Sequence, residues 1–164
     1  MLAPLSSLPE TSRIWIFAAD RPLTAGEATE LLAVLDPYLE QWKAHGAPVR
    51  AARELRDSHF LVIAADPEVT APSGCSIDDM TRTMKTLGAR FGVDFFAAMR
   101  VYHRAATGEV RVTDRATFRT LAATGAITPA TTAFDLGLTT LADLRAGRFE
   151  QPVSASWHRA LLPA

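Results

Sequence analysis

Three observations predict an α+β fold. Strand-type and helix-type hydrophobic periods alternate along the chain, the strand runs are rich in β-branched and aromatic residues, and the helix-type runs carry capping residues. Hydrophobic residues make up 48% of the 164 and charged residues 21%, a globular balance. A domain of about 150 residues buries roughly 70% of its unfolded surface, so one good core is within reach.

Arg13-Ile14-Trp15-Ile16-Phe17-Ala18-Ala19 is stopped by Asp20-Arg21-Pro22 and reads as a buried strand. Thr24 followed by Glu27 is a capping box. It opens a helix whose apolar period runs through Ala28, Leu31, Leu32, Leu35, Tyr38, Leu39 and Trp42. Pro37 either divides that run into two helices or kinks one. Gly46 is the expected left-handed C-cap, and Pro48 blocks continuation. Residues 49–56 and 59–65 read as strands joined by a tight turn at Asp57-Ser58, and the second, apolar on both faces, is expected at the sheet centre. Ser76 and Asp79 have capping-box spacing for a helix with the stripe Ile77, Met80, Met84, Leu87 and Phe91, which Gly92 ends. Residues 99–104 form a strand, and Thr107-Gly108 turn it into residues 109–112. Strand, helix, strand, strand, helix, strand is the order of a ferredoxin-like βαββαβ core, over about residues 13–104.

Residues 1–11 are expected to be a loose leader, 12–112 the core with its hairpin, and 113–164 a C-terminal helical elaboration. That last part holds helices near 114–123 and 138–146 and a short strand at 131–134. No repeat or low-complexity linker interrupts the sequence, so residues 1–164 read as a single domain.

A net charge of −1 argues against a nucleic-acid partner. No apolar run approaches the roughly 20 residues of a membrane-spanning helix, and the start has no basic and apolar signal-peptide pattern. The single Cys75 excludes an internal disulfide and fits a reducing cytoplasm. No metal site is expected, since no His and carboxylate residues fall at ligand spacing and one Cys cannot make a Cys-rich zinc site. No cofactor is expected: the sequence has no Gly-x-x-x-x-Gly-Lys-Ser/Thr loop and no Gly-x-Gly-x-x-Gly, and the Gly-x-Ser-x-Gly elbow is absent as well.

The stretch at 73–79 carries the candidate site. Cys75 lies at a helix entrance, where unpaired backbone N–H groups favour a thiolate or another anion. Asp78 and Asp79 in the same turn oppose that charge, and the plain alternative is a small buried hydrophobe. A Cys nucleophile needs a histidine base. His45, after the first helix, and His158, beside Trp157 in the tail, are the candidates, while His59 and His103 lie in or beside strand runs and are expected to be structural. Ser73, Gly74, Ser76 and Asp78 would contact a ligand, with Arg21 as a possible anion partner and Trp42 and Trp157 as walls. The expected function is therefore a small-ligand or anion site at the 73–79 turn. The alternatives are a cysteine enzyme of acyl transfer or thiol chemistry, and a protein-interaction module built on the C-terminal elaboration.

Arg13-Ile14-Trp15-Ile16-Phe17 with Arg21-Pro22, then Trp42-Lys43-Ala44-His45-Gly46-Ala47-Pro48, Ser73-Gly74-Cys75-Ser76-Ile77-Asp78 and Ser156-Trp157-His158, together resemble a family of small bacterial cytosolic proteins often labelled "ABC transporter ATPase". The resemblance spans residues 12–162 and brings no catalytic residues with it. The ATPase label conflicts with the missing phosphate loop. A shorter stretch, residues 118–134, resembles a small Gly-Tyr-Phe-type protein-binding repeat.

Overall fold

A computed structural model describes residues 1–96 and 99–164. They form α-helices and antiparallel sheets in two compact units, residues 1–96 with 139–142 and the remainder, where the sequence suggested a single domain.

In the first unit, strands β1 (Arg13–Ala18), β4 (Ala51–Arg56) and β5 (Phe60–Ala65) make an antiparallel sheet in the order β1-β5-β4. Every residue of β5 is buried, as its two-sided apolarity predicts. Asp57 and Ser58 both adopt positive φ, 52° and 54°, in the turn between β4 and β5. Helices α1 (Ala25–Gln41) and α2 (Gly74–Phe91) bury Leu31, Leu35, Leu39, Met80, Met84 and Leu87 in one cluster with Phe17, Leu61, Ile63 and Ala65 of the sheet. The Thr24–Glu27 capping box forms, and α1 runs unbroken through Pro37 as one helix.

Three local readings are corrected. Gly46 does not cap α1: the helix stops at Gln41, and His45 (φ 51°) with Gly46 (φ 82°) turns a hairpin between β2 (Lys43–Ala44) and β3 (Ala47–Pro48). Paired positive φ angles are the requirement of a tight hairpin turn, which glycine meets without strain. The second helix starts earlier than expected, because Ser73 rather than Ser76 is the N-cap. Ser73 Oγ accepts from the Ser76 N–H at 3.2 Å and Ser76 Oγ accepts from the Ser73 N–H at 2.9 Å. The leader is tied down rather than loose. Leu2 bridges Ala51 in parallel, the Ala3 N–H donates to the Ala51 carbonyl at 2.8 Å, and Leu8 is 2% exposed.

The order β1-β5-β4 is the one that the first three strands of a βαββαβ core adopt, but the expected fourth strand is elsewhere. Residues 100–104 pair with other strands, and the edge of β1 is met instead by residues 139–142. Arg13 bridges Thr140, and the Ile14 N–H donates to the Thr139 carbonyl at 2.9 Å. The βαββαβ core over residues 13–104 is therefore incomplete.

The second unit is built on an antiparallel sheet of order β7-β6-β8-β9, formed by β6 (Arg100–Arg104), β7 (Val110–Asp114), β8 (Thr132–Phe134) and β9 (Glu150–Pro152). The expected helical elaboration thus also contributes two strands, β8 and β9, to this sheet. Helix α3 (Arg115–Ala123) is capped by Asp114, whose Oδ1 accepts from the Thr117 N–H at 2.6 Å. It buries Phe118 and Ala122 with Val101, Ile127, Ala133 and Val153. A further short helix, α4 (Leu141–Arg145), precedes β9. Among the described residues no helix is long and apolar enough to cross a membrane.

Candidate functional site

The 73–79 turn is a closed capping arrangement. Ser73 and Ser76 satisfy each other, and Trp42 leaves α1 to place its indole Nε1 3.1 Å from the Ser76 carbonyl, to which it donates. Trp15 meets Trp42 edge-on at 6.0 Å, and Tyr38 lies tilted beside Trp42 at 6.4 Å. The Tyr38 hydroxyl donates to Asp79 Oδ2 at 3.1 Å; burial first, then Asp79, pushes its ionisation well above the ordinary tyrosine range. Sequence reasoning paired Trp42 with this turn but missed Trp15 and Tyr38. Cys75 is exposed, in the first turn of α2, and its thiol has no hydrogen-bond partner among the described residues. Gly74 and Asp78 are exposed too, and a side chain at Gly74 would meet nothing within 4 Å. Of the residues singled out there, Gly74, Cys75 and Asp78 lie on the surface, while Ser76 and Trp42 are buried.

The other residues expected at this site fall in both units. His45 sits exposed at the hairpin turn and makes no hydrogen bond with Cys75. Arg21 forms a bidentate pair with Glu27, at 2.8 and 2.7 Å, and donates to the Phe91 carbonyl at 2.8 Å. Phe91 closes the far end of α2, whose 18 residues span roughly 27 Å at 1.5 Å per residue, so Arg21 does not serve the 73–79 turn. His158 belongs to the second unit and is 1% exposed. Its ring stacks on Trp157 at 4.0 Å, and Nδ1 shares a 2.8 Å hydrogen bond with Ser156 Oγ. Burial pushes its pKa down to about 4 and holds it neutral, with Asp135 opposing and His103 adding to the shift. Trp157 is exposed, under the Arg115 guanidinium at 5.3 Å from the ring centre.

The second unit carries a cleft of about 700 Å³ that the sequence did not reveal. Pairing register explains its wall. His103 opposes Arg111 and also Ala133, and Val101 opposes Thr113. Directly opposed residues, and residues two apart on a strand, share a sheet face, so His103, Arg111 and Thr113 project from one face. It is the face that α3 covers, since Phe118 meets the His103 ring edge-on at 5.7 Å. Leu121, near the end of α3, then Ile127 and Thr131 line the cleft with them.

Two polar atoms here lack partners. His103 is 6% exposed and its buried Nδ1 has no hydrogen bond, and the buried Thr113 Oγ1 has none either. Native folds rarely leave such groups unpaired, because each costs about 1–3 kcal/mol. Burial foremost, with the nearby Arg111 cation, lowers the His103 pKa and keeps the ring neutral. The residue expected to be structural is thus a wall of this cleft. The signal that could have found it is the hairpin pairing of residues 99–104 with 109–112, which puts His103 and Arg111 side by side.

Among the described residues no group of His, Cys, Asp and Glu is arranged to hold a metal ion. No family model matches the chain, and neither a curated protein nor a solved structure matches it.

Proposed function

We propose that this protein binds a small organic ligand, and that the ligand occupies the cleft of the second unit. The observation that carries this reading is the pair of unpartnered buried polar groups, His103 Nδ1 and Thr113 Oγ1, on residues lining a cleft of about 700 Å³. Small-ligand sites are typically concave, mostly apolar and roughly 300–1,000 Å³, with a few polar groups that orient the ligand. Leu121, Ile127 and the alanines of the lining supply the apolar part, while His103, Thr113 and Thr131 supply the orienting part. The small-ligand class is the one expected from the sequence, with the site moved from the 73–79 turn to the cleft. The move is supported by the way Ser73, Ser76 and Trp42 already use their polar groups on one another. An exposed, unpaired Cys75 also supports a cytoplasmic, reducing compartment.

The test is a fragment screen on the full chain, read by amide chemical-shift perturbation. Binders should move the amides of His103, Arg111, Thr113 and Ile127. Binders that move only residues 73–79 would return the site to the turn, and a screen without saturable binders would refute ligand binding.

A further inference from the structure

Resting on the reading that the cleft holds a small ligand, we infer that this ligand is a carboxylic acid with an apolar body, its carboxylate held by Arg111. The residues lining the cleft include two arginines and no carboxylate; the glutamates that pair with them lie outside the lining.

The two arginines are not equivalent. Arg104 is committed: Nε and Nη2 donate to the Glu150 carboxylate at 3.2 and 2.6 Å, Nη1 donates to the Gly108 carbonyl at 2.9 Å, and its guanidinium lies 5.0 Å from the Phe134 ring centre. Arg111 has one hydrogen-bond partner among the described residues, Glu109, reached through Nη2, which leaves Nε, Nη1 and the second Nη2 hydrogen to donate, and so one two-donor edge that includes Nη2. The Arg111 and Glu109 side chains are 59% and 55% exposed. An exposed ion pair of this kind is worth little, so a ligand carboxylate can compete for the guanidinium. Arginine matches a carboxylate with two parallel N–H donors, a charge-assisted contact stronger than a neutral one.

One available guanidinium sets the ligand's charge. Arg104 with Glu150 and Arg111 with Glu109 are each balanced, so a dianionic phosphate would find only one free donor edge. A monoanionic carboxylate needs no more than that edge. Beside it, His103 and Thr113 offer a neutral ring nitrogen and a hydroxyl, suited to a hydroxyl or carbonyl on the ligand rather than to a second charge. Leu121 and Ile127 line the rest and favour an apolar body.

Titrating the full chain with octanoate, octanamide and octyl phosphate, by calorimetry and amide shifts, tests this. Octanoate should bind in the cleft a few-fold tighter than octanamide, since an ion pair at an exposed guanidinium contributes about 0.2–1 kcal/mol. Arg111→Gln should erase that preference by lowering octanoate affinity to that of octanamide, while thermal unfolding stays unchanged because the side chain is exposed. Equal affinity for octanoate and octanamide, or a preference that survives in Arg111→Gln, would overturn the carboxylate inference while leaving the cleft as a site. Tighter binding of octyl phosphate would overturn it in favour of a phosphate ester. Octanoate binding that perturbs no cleft amide, or no binding of any probe, would overturn both the inference and the reading it rests on.

Discussion

Gly88 and Gly74 lie in the same helix, yet replacing each with alanine should move stability in opposite directions. Alanine is favoured over glycine in a helix interior by about 1 kcal/mol, so propensity alone predicts that both changes stabilise. At Gly88 a Cβ would stand 2.5 Å from the Val93 carbonyl oxygen and 3.3 Å from Phe95 Cδ2. The first contact is with backbone. That backbone is tied to Gly88 itself, since the Val93 N–H donates to the Gly88 carbonyl at 2.9 Å. Relief means pulling the post-helix turn away and weakening that bond. Overpacking costs about 1–3 kcal/mol and a lost hydrogen bond about 1 kcal/mol. After the propensity gain, Gly88→Ala should destabilise by about 1–3 kcal/mol. At Gly74 nothing lies within 4 Å of the added Cβ, and φ is not positive, so Gly74→Ala should stabilise, by less than the roughly 1 kcal/mol of a helix interior because Gly74 is the first helical residue. Urea unfolding of both variants, followed by far-ultraviolet circular dichroism and tryptophan fluorescence, measures the difference. Gly88→Ala as stable as the parent, with Gly74→Ala no better, would refute the reasoning from close approach.

Two further outcomes are expected. His158 titrates near 4 when folded and near 6.5 when free, so the unfolded chain binds more protons between those values, and stability should fall as pH drops through that window. His158→Gln should flatten the fall by about 2 kcal/mol between pH 8 and pH 5, measured by urea unfolding at each pH, and parallel profiles for the two proteins would contradict it. Cys75 is exposed in the first turn of α2, so iodoacetamide should label native and urea-unfolded protein at rates within about threefold of each other; strong native protection would show a buried thiol.

What the sequence disclosed was local, and what it concealed was pairing. The strand at 13–18, the all-buried strand at 60–65, the Thr24 capping box and the left-handed Gly92 each depend on neighbours a few residues away, and each was legible. Gly46 was misread because a left-handed glycine after a helix serves equally as a C-cap or as half of a hairpin turn, and only the pairing of Lys43 with Pro48 decides between them. The helix start slipped to Ser76 because serine can be an N-cap or the third helical residue that bonds back to one. The fourth strand was misplaced for a deeper reason. Alternation along residues 99–104 says that a strand exists and which of its side chains share a face, but not which sheet accepts it. That depends on His103 finding Ala133 and on Thr139 and Thr140 reaching Ile14 and Arg13, contacts separated by long stretches of chain. The candidate site followed the same logic. Cys75 attracted notice by its type and the 73–79 turn by its composition, yet the residues there consume their polar groups in holding α2 and Trp42 in place. His103, Arg111 and Thr113 are unremarkable by type and acquire meaning only through register, when pairing sets a neutral imidazole opposite a cation and leaves two buried polar atoms without partners. In a chain without a catalytic signature, the proposed site therefore rests on unsatisfied polar groups in a cleft rather than on the rarest residue.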